Sequence, residues 1–95
     1  MKLVVTRHPA LVEYLKETGL ISDGDYELIA HATVEDVKGK DVIGVLPINL
    51  AAEAASVTDV PLNIPAERRG QELGLSEVRA YAGPPRKYVV KEVTS

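Results

Sequence analysis

Apolar positions in this 95-residue chain fall into short runs separated by Gly, Pro and Asp, and successive runs alternate between strand-like and helix-like spacing. Leu3-Val4-Val5 is an unbroken apolar run, and after the polar corner Thr6-Arg7-His8 the stretch Pro9–Thr18 carries Leu11, Val12, Tyr14 and Leu15 near helical spacing. Proline suits a first helical position, where its missing N–H would have had no partner, and Gly19 stops the helix. Tyr26–Ala32 reads as a second strand, Val34–Val37 as a single helical turn, and Val42–Leu46 as a β-branched strand ended by Pro47. Ile48–Ser56 reads as an alanine-rich helix whose small side chains pack closely on a sheet. A fourth strand is expected over Asp59–Pro65, its prolines marking an edge or a strand end. Ala66–Leu73 reads as helical, Ser76 as the N-cap of a further helix, and Lys87–Val93 as a half-exposed final strand. This alternation predicts the α/β class: one domain over residues 1–95, built as a doubly wound, mostly parallel sheet of four or five strands with flanking helices.

Such a sheet gives the corner at residues 6–9 its interest. Ligands collect outside the carboxyl ends of parallel strands, and a helix amino terminus favours anions. An Arg and a His placed there point to a phosphate. Parallel pairing of all four strands would bring His8, His31, Asn49 and three arginines to the same edge. His31, beside Ile29, Ala30 and Ala32, reads more readily as a hydrogen-bonded core group than as a ligand contact.

Charge and composition narrow the partners. With 11 basic and 14 acidic side chains the net charge is −3, which argues against sequence-independent binding to long nucleic acid and leaves a local basic pocket to meet any anion. There is no cysteine, so disulfides, thiolate zinc sites and cysteine nucleophiles are excluded. Four Tyr with no Phe or Trp leave a core of Val, Leu, Ile and Ala. The opening Met-Lys-Leu-Val-Val lacks a leader-like apolar stretch and no run is long enough to span a bilayer, so a cytoplasmic protein without membrane partners is expected. A domain this small buries a modest share of its surface, and dimerisation would help it.

Three words in the sequence resemble a small single-domain CRISPR-associated family of type III systems. They are Val5-Thr6-Arg7-His8-Pro9, the run from Asp41 through Leu46-Pro47 to Asn49-Leu50-Ala51-Ala52-Glu53, and Pro65-Ala66-Glu67-Arg68-Arg69-Gly70-Gln71-Glu72-Leu73. Their spacing is similar to the family pattern VTRHPGA, GDVVIGTLPxHLAA and LPxxxRGxEL, over residues 3 to about 80. Ala10 stands where glycine is usual and Asn49 where histidine is common. The resemblance implies a Rossmann-like fold related to the CARF sensory domains. It also implies a ring nuclease: a homodimer that binds and linearises cyclic oligoadenylate, cyclic tetra-adenylate above all, with no metal or other cofactor. The alternative is a protein that sequesters the ring uncut. On this reading Arg7, His8 and Arg68 carry the catalysis, while Thr6, Pro9, Leu46, Pro47, Asn49, Glu67 and Arg69 bind the ligand. Asn49 is explained equally well as a helix N-cap, and Glu67 as a surface charge or an ion-pair partner of the arginines. Arg-His after an apolar strand also resembles the RHG word of histidine phosphatases, but Pro9 replaces its glycine and the sequence offers no second catalytic histidine near the end.

Overall fold

The apolar runs become the central strands of one sheet. In the computed structural model, which describes residues 2–93, Lys2–Val5 forms β1, Tyr26–Ile29 β2, Asp41–Gly44 β3, Ser56–Asp59 β4 and Arg86–Tyr88 β5. The sheet order is β2-β1-β3-β4-β5; the first four strands are parallel, and β5 runs antiparallel to β4. The α/β class and the five-stranded, mostly parallel sheet are as the alternating pattern predicts.

Period-two alternation sends neighbouring side chains to opposite faces. Val4 and Ile43 pack with Leu11, Val12 and Leu15 of α1 (Pro9–Thr18), together with Leu73 and with Val78 of α4 (Leu75–Tyr81). Leu3, Val42 and Val57 pack on the other face with Val37 of α2 (Val34–Val37), Ala51 of α3 (Ile48–Ala51) and Ala54. The result is three layers, with α1 and α4 on one side of the sheet and α2 and α3 on the other. Leu15 and Val4 are fully buried, and each such side chain contributes on the order of 2 kcal/mol relative to exposure.

Element boundaries differ from the sequence reading where tertiary pairing overrides propensity. The alanine-rich helix stops at Ala51 instead of Ser56, because the Lys38–Lys40 segment takes up the following backbone. Gly39 N–H donates to Glu53 O at 3.1 Å, and Ala55 N–H to Lys40 O at 2.9 Å. The fourth strand therefore starts at Ser56, with Asp41 opposite Ser56 and Val42 opposite Val57, and it ends before the prolines that were expected inside it. Pro61 and Pro65 lie instead in a connection that leads to a short 3-10 turn, Ala66–Arg68. The N-cap of the last helix is Gly74, not Ser76: Glu77 Oε1 accepts from the Gly74 N–H at 3.2 Å and caps the first turn from inside. The final strand is shorter than expected and pairs through Arg86, Lys87 and Tyr88 with Asp59, Thr58 and Val57. Among the described residues no helix is long and apolar enough to cross a membrane.

Candidate functional site

Strand order places one crevice. The sequence of strands reverses at β1, which has β2 on one side and β3 on the other, and ligands of open α/β sheets bind at such a reversal. At this point the two backbones approach closely. Gly44 pairs with Val5 and adopts φ +141°, and a Cβ there would lie 2.3 Å from the Val5 carbonyl oxygen. Only glycine fits.

Beyond the closure the chains diverge around three adjoining cavities. One of about 400 Å³ is bounded by Thr6, Arg7, His8, Gly44, Val45 and Leu62. A second of about 420 Å³ lies on the β2 side against Arg7, His8, Pro9 and Leu28. The third, about 220 Å³, opens toward α3 between Val5, His31, Leu46 and Pro47.

Local chemistry sets the corner. Thr6 N–H donates to Ile29 O at 3.1 Å, carrying the parallel ladder one residue past β1. Thr6 Oγ1 accepts from His8 N–H at 3.1 Å, folding the chain into the helix entry. His8 is the N-cap of α1 in an extended conformation, Pro9 follows it, and no side chain caps the helix or places an acid in its first turn. The positive end of the α1 dipole is therefore unneutralised by protein. Arg7 is exposed; its Nη2 donates to His31, lying 3.0 Å from Nε2 and 3.2 Å from Nδ1. Among the described residues the ion pairs are Lys16–Asp23, Arg68–Glu77 and Arg79–Glu17, so Arg7 has no carboxylate partner.

A cationic, uncapped corner beside a crevice has the chemistry to hold an anion. Residues 3–91 match the profile of the family described as "Putative CRISPR-associated protein (Cas_VVA1548)". The chain belongs to this CRISPR-associated family. No curated protein and no solved structure matches it.

In this CRISPR-associated protein, Thr6, Arg7, His8 and Pro9 come together as the sequence reading expected, with Leu46 and Pro47 on the wall toward α3. Asn49 is exposed in the first turn of α3, borders none of the three cavities, and is not the cap; Pro47 occupies that position. Arg68 is half-buried and donates to Glu77, the same carboxylate group that caps Gly74. Its Nε is buried without a partner. Glu67 and Arg69 flank it on the exposed surface. The residues the sequence reading missed are Gly44 and Leu62, and His31 is hydrogen-bonded as expected but on the exposed surface, to Arg7, instead of in the core. A glycine inside a β-branched run was the available signal for Gly44, since it marks a close backbone approach. Nothing local announced Leu62, which reaches the cavity only because β4 ends earlier than its prolines suggested.

Proposed function

We propose that the protein acts on cyclic oligoadenylate, with cyclic tetra-adenylate as the first ligand to test, and opens the ring to end type III CRISPR signalling. The observation that carries this reading is Arg7, a cation with no carboxylate partner among the described residues, beside the uncapped amino end of α1, in a chain whose net charge is −3. A cation left unneutralised in an acidic chain is available to phosphate.

Ring opening needs a ribose 2′-hydroxyl held in line with the adjacent phosphorus. The 2′-oxygen forms a bond to phosphorus, the bond from phosphorus to the 5′-oxygen breaks, and charge builds on the phosphorane oxygens. The 2′-hydroxyl proton leaves to a base and the departing 5′-oxygen gains one from an acid, giving a linear product with a 2′,3′-cyclic phosphate and a 5′-hydroxyl. His8 serves as acid or base at the cavity edge, and Arg7 and the α1 N–H groups neutralise the developing charge. Arg68 borders none of the three cavities and is paired with Glu77, so a part for it would first need that carboxylate exchanged for a phosphate. A ring with two-fold symmetry fits a two-fold dimer, and Val45 and Ile48, 76% and 79% exposed at the rim, offer apolar surface for a second copy.

The test is incubation of purified protein with labelled cyclic tetra-adenylate in EDTA. Linear product supports the nuclease, tight binding of an intact ring supports sequestration, and neither overturns the reading. Arg7→Ala is expected to cost about 100-fold or more in single-turnover rate, with the unfolding midpoint unchanged.

A further inference from the structure

Parallel register puts Arg7 opposite His31. Val5 pairs with Ile29, and the Thr6 N–H bond to Ile29 O keeps the two chains in step beyond the strand ends, so residues two further along each chain meet. There the Arg7 guanidinium donates to the His31 ring, which lines the cavity toward α3, while Arg7 itself borders the two cavities on the α1 side.

We propose that His31 is the positioning residue that holds Arg7 at the mouth of the β1/β3 crevice without neutralising it, and so sets how tightly the crevice grips a phosphodiester. This rests on the ligand reading above. The Nη2 lies against the edge of the ring that carries both nitrogens, and a histidine side chain, unlike a carboxylate, brings no negative charge to the contact. The contrast with Arg68 and Arg79 carries the point. Arg68 and Arg79 are held by Glu77 and Glu17, carboxylates that compete with phosphate for the same guanidinium fork. An imidazole orders the long side chain without placing a negative charge on it and engages only Nη2 of the guanidinium, so Nε and Nη1 remain for a phosphodiester.

The test has two arms. In ligand-free protein labelled at arginine Nε, nuclear magnetic resonance should show Arg7 ordered in the wild type and mobile in His31→Ala. His31→Gln, which retains an acceptor, should restore the order, and His31→Asp should order it at least as well. In the second arm, binding of cyclic tetra-adenylate should weaken about tenfold in His31→Ala, recover in His31→Gln, and weaken further in His31→Asp, whose carboxylate cancels the charge. The saturated single-turnover rate should change less than the affinity. All three substitutions are at an exposed position, and thermal melting checks that the fold is retained. Arg7 equally mobile in wild type and His31→Ala overturns the proposal whatever the ligand, as does tighter binding by His31→Asp than by His31→Ala. If wild-type protein does not bind the ring, the ligand reading falls, and the resonance arm alone judges His31.

Discussion

The two ends of α1 are finished in opposite ways. At the carboxyl end Gly19 takes φ +81° and its N–H reaches Lys16 O, Leu20 N–H reaches Leu15 O, Lys16 pairs with Asp23 at 2.9 Å, and Glu17 pairs with Arg79 of α4. Charges there are matched to carboxylates or to the dipole, and the titration follows. Asp23 and the Tyr26 side chain hold Lys16 protonated, pushing its pKa up to about 12. The hydrogen bond from Arg79 keeps Glu17 below the usual carboxylate range. The amino end has no side-chain cap, no acid in its first turn, and an arginine bonded to an imidazole where the other end has carboxylates. A helix whose far end is fully tied and whose near end is open has been stabilised where it packs and left available where it meets the crevice.

The largest expected effect breaks the open end from below. Gly44→Ala places a methyl against the Val5 carbonyl and forces an unfavourable φ, so β1 and β3 must part; a loss of about 3 kcal/mol or more in urea unfolding is expected. Wild-type stability in that variant would mean that the two strands are not held as close as described. The closed end is more forgiving. Gly19→Ala meets no neighbouring atom and suffers only the left-handed conformation, for a loss of about 1 kcal/mol. Smallest is the Lys16 contact, which is solvent-exposed. Because the folded-state pKa is raised from 10.5 to about 12, its stabilisation is complete below pH 10.5 and is lost as pH rises toward 12. Thermal melting of wild type against Asp23→Asn should therefore show a small advantage that persists to about pH 10.5 and disappears near pH 12. An advantage unchanged across that window would remove the Lys16–Asp23 contact from the account.

Much of the site was readable in the chain. Pro9 after Thr6-Arg7-His8 announced a strand-to-helix corner because it is a local constraint on one residue's φ and N–H. The capping alternative for Asn49 and the cap expected at Ser76 both fail: Pro47 and Gly74 hold the cap positions, and that depends on where the preceding loop arrives. The fourth strand slipped toward its prolines because β-propensity is weak evidence beside backbone pairing with β3. Glu67 was the expected ion-pair partner of the arginines, but Arg68 pairs with Glu77, on the helix that packs against α1.

Alternation of apolar runs, the helix stop at Gly19, the acidic balance and the absence of cysteine were determined by the sequence itself, since each depends on neighbours within a few residues or on counting. Tertiary structure alone decided that β1 lies between β2 and β3, that Gly44 must be bare against Val5, and that Arg7 faces His31. Those depend on which strand lies beside which and in what register, and that choice is made by burying both faces of the sheet at once.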